Sequence, residues 1–90
     1  MFLSINLEGR ITGENADEVE AAILRQLNPN INGIILDAKN LSYISSSGIR
    51  FIIRLKKAFQ ATSIINCNPF VYEILSLTGM TDIMDISKAI

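Results

Sequence analysis

The first residues of the chain alternate between apolar and polar. Leu3, Ile5 and Leu7 are separated by single polar residues, which is the two-residue period of a half-buried strand. Glu8-Gly9 then predicts a tight reversal, and residues 10–12 predict a short second strand that returns along the first. The pattern therefore predicts an N-terminal β-hairpin.

Three later segments space their apolar residues three and four apart, as amphipathic helices do. The first begins at Asn15, where Glu18 three residues later resembles a capping box, and it ends near Pro29. The second begins at a run of serines. The third begins at Asn68-Pro69, with proline in the first helical position, and Gly79 fits its left-handed C-cap. The apolar positions on the three helices are Ala16, Val19, Ile23 and Leu27; Ile49, Ile52, Ile53 and Phe59; and Val71, Ile74 and Leu75.

Two further segments are predicted to be strands. Residues 33–37 form a continuous apolar run that ends at Asp37, which is typical of an internal strand covered on both faces, and residues 61–67 form another strand. Residues 80–86 form an apolar tail that is expected to pack back onto the domain. The predicted order is β-β-α-β-α-β-α with a short C-terminal element. This is an α/β sandwich with a mixed β-sheet whose later strands are parallel and joined by right-handed crossovers.

Size and charge narrow the classes of function. Ninety residues are the size of one domain, so residues 1–90 are expected to form a single domain. Eight basic and nine acidic residues leave a net charge of −1, which gives no field for binding nucleic acid. The N-terminus has no basic leader and no long apolar run, so we expect a cytoplasmic protein without direct membrane insertion.

The residue types present argue against catalysis. The chain contains no His, which excludes His-dependent triads and Cys–His dyads, and its single Cys leaves no zinc site of the usual ligand count. We therefore expect no catalytic residues, no metal site and no cofactor. Cys67 ends a predicted strand and is expected to be buried rather than reactive.

Three adjacent serines, Ser45, Ser46 and Ser47, precede Gly48 at the start of the second predicted helix. A helix N-terminus offers free N–H groups and a partial positive charge, so a phosphate on a serine there would be stabilised. One phosphoryl group adds about −1.5 to −2 charges, which is large beside a net charge of −1. Serine is also a favoured N-cap residue, so helix capping alone is the competing interpretation.

The order of these features resembles the signature of STAS domains, in particular bacterial anti-sigma factor antagonists. In residues 36–49 an apolar strand, Asp37, a hydrophobic connector and Ser-Ser-Gly opening a helix follow one another as in that family. Residues 7–11 resemble its early strand-Gly-strand turn, and residues 68–80 resemble its closing helix and Thr-Gly-Leu turn. The resemblance covers nearly the whole chain and implies a small STAS-type sandwich.

The resemblance also implies a function. Members of this family bind an anti-sigma factor of the serine-kinase type and are switched off when the first serine after the motif's aspartate is phosphorylated. That serine matches Ser46, with Ser45 and Ser47 as alternatives. The protein is then a regulatory binding protein, not an enzyme, and a monomer or weak dimer. The residues expected to bind the partner are Asp37, Ser45, Ser46, Ser47, Gly48, Arg50 and Arg54.

Two positions depart from the family's pattern. Ser45 replaces the motif's aspartate, and Arg50 stands where the family often has a small residue. Arg50 shares a helix face with Arg54 and Lys57, which could hold a phosphoserine, meet an acidic partner or simply be solvated. The departure at Ser45 favours an alternative function, in which the chain is a constitutive STAS interaction subunit of a transporter or signalling complex and its serines only cap the helix.

Overall fold

Strands and helices alternate along the chain in the computed structural model, which describes residues 1–90. No helix is both long enough and apolar enough to span a membrane. The strands are β1 (Phe2–Ile11), β2 (Gly33–Ile44), β3 (Ala61–Cys67) and β4 (Asp85–Lys88), and the helices are α1 (Ala16–Leu24), α2 (Ser46–Ala58) and α3 (Pro69–Leu77), followed by a 3₁₀ turn at Met80–Asp82.

The four strands form one parallel sheet in the order β1-β2-β3-β4. Each crossover joins neighbouring strands, and because such crossovers are right-handed, successive helices pack on the same face of the sheet. Burial along β2 alternates accordingly: Ile34 and Leu36 are buried, whereas Ile35 and Asp37 are partly exposed. The prediction that residues 33–37 are covered on both faces was therefore wrong, because no helix lies on the second face.

One apolar core joins the sheet to the helices. Phe51 and Ile52 of α2 are fully buried with Leu36 of β2, Ile64 of β3 and Val71 of α3. The apolar stripes predicted for the three helices supply the helical side of this core. The predicted α/β class, with strands and helices alternating along the chain, is confirmed.

The predicted N-terminal hairpin, and with it the mixed sheet, was wrong. Residues 2–11 form one continuous strand that runs parallel to β2 throughout. Gly9 has a φ of +66°, and the register with β2 shifts on each side of Glu8-Gly9. A bulge and a tight turn both use glycine at positive φ, so the local sequence does not distinguish them. Here the glycine is part of a bulge, and the strand continues.

The ends of the helices follow the predictions in part. Gly79 has a φ of +82° after α3, the left-handed conformation expected of it. Asn15 precedes α1, but its side chain makes no capping hydrogen bond, so the predicted capping box was wrong. Its Oδ1 instead accepts a hydrogen bond from the Thr12 N–H at 2.8 Å. Helix α1 also ends at Leu24, a full turn before Pro29.

The apolar tail packs back onto the domain, as predicted. Met80, in the 3₁₀ turn, and Met84 are both buried in the core. The residues after them form β4, which pairs with β3 at the edge of the sheet. The tail is thus a structural element of the sheet, although its alternation is too short to predict a strand.

Candidate functional site

The candidate site lies where β1 and β2 end and α2 begins. The Ser45 N–H donates a hydrogen bond to the carbonyl of Ile11 at 2.8 Å, and the Ser45 carbonyl accepts one from the Ile49 N–H at 3.0 Å. The start of α2 is therefore fixed to the last residue of β1. In a parallel sheet the carboxyl ends of strands meet at one edge, which is where loops and helix N-termini gather.

The three serines at this edge have different environments. Ser45 is the N-cap of α2, and its Oγ accepts a hydrogen bond from the Gly48 N–H at 3.3 Å. The Oγ of Ser47 accepts one from Arg50 Nη2 at 3.2 Å. Ser46 is the exposed one of the three, and its hydroxyl takes part in none of these bonds. The first turn of α2 thus presents one unengaged hydroxyl to solvent.

Gly48 allows α2 to approach the sheet closely. A Cβ on this residue would lie 2.7 Å from Ile44 Cγ1 and 2.8 Å from Ile11 Cγ2, both well inside contact distance. Any side chain here would push the first turn of the helix away from the ends of β1 and β2. The glycine of the Ser-Ser-Gly sequence therefore sets the position of the serines.

The turn between β1 and α1 borders the serines and was not among the predicted site residues. Asn15 Oδ1 accepts from the Thr12 N–H, and Asn15 Nδ2 donates to the Arg10 carbonyl at 2.8 Å, so one side chain holds the turn at both ends. A Cβ on Gly13 would lie 3.8 Å from Ser47 Oγ. In the sequence, this part of the site is indicated by the polar residues 12–15, which follow directly after the first strand.

The two arginines of the predicted site have different partners. Arg50 is exposed and bonds to Ser47. Arg54 forms a two-bond ion pair with Glu20 of α1, through Nε to Oε2 at 3.0 Å and Nη2 to Oε1 at 2.7 Å. The hydrogen bonds to Glu20 raise the pKa of Arg54. Arg54 therefore links α2 to α1, and Arg50 is the cation that lies beside the serines.

Asp37 lies apart from the serines. It pairs in register with Ile65 of β3, and seven residues of extended chain, at about 3.3 Å each, separate it from Ser45. Its Oδ1 accepts hydrogen bonds from the Lys39 N–H at 3.0 Å and from Asn66 Nδ2 at 3.1 Å, which lower the pKa of the carboxyl group. The structure thus joins Asp37 to the end of β3.

Cys67 is buried at the end of β3, as predicted. Loss of hydration raises the pKa of its thiol to about 11 from 9.0, so the reactive thiolate is disfavoured at neutral pH. No group of three or more His, Cys, Asp or Glu side chains is placed to hold a metal ion.

The sequence is similar to one protein family and to a bacterial protein of comparable size. A model of the STAS domain family matches residues 2–90. The candidate anti-sigma factor antagonist BtrV of Bordetella bronchiseptica is 26% identical over an aligned length of 87 residues, and the match covers 92% of this chain and 75% of that protein.

Solved structures share the fold at lower identity. A candidate anti-sigma factor antagonist from Thermotoga maritima has a TM-score of 0.81 at 22% identity, covering 96% of this chain and 80% of that one. A sulfate transporter family protein from Wolinella succinogenes has a TM-score of 0.80 at 12% identity, covering 99% and 78%. The anti-sigma factor antagonist SpoIIAA in its unphosphorylated form has a TM-score of 0.73 at 20% identity, covering 93% and 79%.

Proposed function

The chain belongs to the STAS domain family, and we propose that it is an anti-sigma factor antagonist, a non-enzymatic protein that binds an anti-sigma factor of the serine-kinase type. The name of the relative from Bordetella bronchiseptica and that of the structure from Thermotoga maritima support this choice within the family. We further propose that residues 1–90 act as a single domain, as a monomer or weak dimer.

The observation that carries the proposal is the unengaged hydroxyl of Ser46. Its neighbours are occupied, since Ser45 caps α2 and Ser47 binds Arg50, whereas Ser46 is exposed to an incoming kinase. Phosphorylation of Ser46 would place about −1.5 to −2 charges at the start of α2, where free N–H groups and the helix dipole stabilise an anion. The modified domain would therefore remain folded.

The switch would act on the partner rather than on the fold. A partner surface that fits a neutral hydroxyl must desolvate or repel a phosphate in the same place, so its affinity falls. Ser45–Gly48 and Arg50 would form the centre of this binding surface. Asp37 and Arg54, which bind Asn66 and Glu20, would contribute by holding β3 and α1 in position.

The test measures binding to the serine-kinase anti-sigma factor encoded nearest to the gene. Ser46→Asp should weaken binding by about a hundredfold or more, since an unmatched charge at an interface costs several kcal/mol, while Ser46→Ala should bind like the unchanged chain. Ser76→Asp is the matched control, because it adds the same charge at an exposed serine on α3. Incubation with the kinase and ATP should place phosphate on Ser46.

Equal affinities for the two Ser46 variants, with no phosphate on residues 45–47, would contradict the switch. That outcome would favour the second candidate, a constitutive interaction subunit of a transporter or signalling complex. Two observations support this second candidate: Ser45 supplies only a helix cap where the family motif has an aspartate, and the sulfate transporter family protein shares the fold.

A further inference from the structure

The two edges of the sheet are protected to different degrees. Strand β4 is short, with four residues, and carries Asp85 and Lys88, which are features that discourage pairing with another chain. Strand β1 is ten residues long, and its segment 3–7 contains no charged residue and no proline. Its pairing with β2 is regular from Phe2 to Asn6, and the first register shift lies between Asn6 and Glu8. The backbone groups on the outer side of residues 3–6 are therefore an unprotected edge.

A groove runs beside this edge, between β1 and α1. Its volume is about 320 Å³, and its apolar lining includes Ile5 and Leu7 from the strand and Val19 and Ile23 from the helix. A strand added to an edge directs alternate side chains toward the helix-covered face. Those side chains would enter the groove, so the edge and the groove together offer backbone pairing and side-chain pockets.

We propose that the β1 edge and this groove bind an extended segment of another protein, which adds a fifth strand to the sheet. The segment has apolar side chains at alternate positions, which fill the groove, and Lys or Arg near its ends. This surface is separate from the first turn of α2, so the inference does not depend on the proposed function.

The charges around the groove favour a basic segment. Glu8 lines the groove, and Glu18 lies four residues before the groove residue Ala22, on the same side of α1. The first turn of α1 is acidic, and its last turn has no basic residue. The acidic side chains at the groove therefore favour a cationic partner.

The probe is a short synthetic peptide in which valine alternates with serine and lysine stands at both ends. Added to the full chain, it should shift the amide NMR signals of residues 3–6 and of α1. The same peptide with glutamate ends should bind more weakly, and one with a central proline should lose binding because it cannot complete the backbone pairing.

Absent shifts, or shifts confined to other surfaces, would overturn the proposal. So would β1 shifts that depend only on protein concentration, since they would identify a second copy as the occupant.

Neighbouring alanines on α1 provide a matched pair of variants. Ala22 lines the groove and Ala21 does not. Ala22→Arg should therefore weaken peptide binding by about tenfold, which is the factor expected when one valine-sized side chain loses its buried position. Ala21→Arg should leave peptide binding unchanged.

If Ala22→Arg does not fold, variants of Gln26 provide the test, because Gln26 is exposed at the groove and tolerates either charge. Gln26→Glu should strengthen binding of the lysine peptide and Gln26→Lys should weaken it. Equal affinities would refute the assignment. Ser46→Asp should leave peptide binding unchanged, which separates this test from that of the proposed function.

Discussion

At the scale of single residues, Gly48 determines where the serines lie. We predict that Gly48→Ala lowers the free energy of unfolding by about 1 kcal/mol. Alanine gains about 1 kcal/mol of helix propensity over glycine, but its Cβ would overlap Ile44 and Ile11, and overpacking of a core costs about 1–3 kcal/mol. Thermal unfolding should show a fall in Tm of about 4–8 °C for each kcal/mol lost.

Gly13→Ala is the control for that measurement. The Cβ it adds would meet only Ser47 Oγ, at an ordinary contact distance of 3.8 Å, so its Tm should stay close to that of the unchanged chain. A rise in Tm for Gly48→Ala would show that the first turn of α2 can move off the sheet without loss, which contradicts the role assigned to the glycine.

The local part of the site was predictable and the long-range part was not. Ser45 as an N-cap follows from residue type and position, because capping depends on residues only three apart. The ion pair between Arg54 and Glu20 joins residues 34 apart, and the bond between Asp37 and Asn66 joins residues 29 apart. Such partners are set by how the elements pack, and nothing in the local pattern identifies them.

At the scale of elements, Asn68 connects a helix to a strand. Its Oδ1 accepts from the Val71 N–H at 2.9 Å, which caps α3, and its Nδ2 donates to the Leu41 carbonyl of β2 at 2.9 Å. We predict that Asn68→Ala lowers the free energy of unfolding by about 2 kcal/mol, with about half from the cap and half from the bond to β2. Denaturant titration measures this loss.

Asn68→Asp separates the two contributions. Aspartate keeps the capping oxygen and loses the donor to Leu41, so it should cost about 1 kcal/mol. Asn30→Ala, at an exposed asparagine in the loop before β2, should change stability little. If Asn68→Asp were as damaging as Asn68→Ala, the bond to Leu41 would carry the whole effect and the capping contribution would be refuted.

The sequence predicts whether an element is a helix or a strand where its apolar repeat continues over many residues, and less well where the repeat covers only a few. The three helical stripes and the apolar run before Asp37 determine α1 to α3 and the start of β2. Around Gly9 the sequence is compatible with both a turn and a bulge, and the choice depends on pairing with β2, which starts more than 20 residues later. Strand β4 has only four residues, so its identity likewise depends on β3 beside it.

At the scale of the whole molecule, placing all helices on one face leaves two kinds of unpaired surface. The second face of the sheet is mixed in polarity: Ser4, Asn6 and Ser63 lie there beside the partly exposed Ile35 and Ile65. The β1 edge is different, because its backbone groups and the groove beside α1 are available to another chain. The fold therefore separates the serines at the start of α2, where we propose phosphorylation, from the β1 edge, where we propose strand pairing.

Cys67 reports on the cooperativity of the whole fold. Its side chain is fully buried, and the Ala89 N–H donates to its carbonyl at 2.8 Å across the β3–β4 edge. A thiol reagent can reach the sulfur only when this part of the sheet opens. We predict that labelling at pH 8 is at least about a thousandfold slower than in the unfolded chain. Rapid labelling of the folded protein would show that β4 detaches on its own.

The same thiol gives stability a defined pH dependence. The folded protein raises the pKa of Cys67 from 9.0 to about 11, so the folded state binds this proton more tightly than the unfolded state does. The resulting stability is fully present below pH 9 and is lost as the pH rises through 11. The loss amounts to about 2–3 kcal/mol, since one pKa unit corresponds to about 1.4 kcal/mol.

Cys67→Ala removes this contribution. The difference in unfolding free energy between the unchanged chain and the Cys67→Ala variant should therefore shrink between pH 8 and pH 11. All other groups are common to both chains and cancel in that difference, and a difference that stayed constant would mean that the thiol is hydrated in the folded protein.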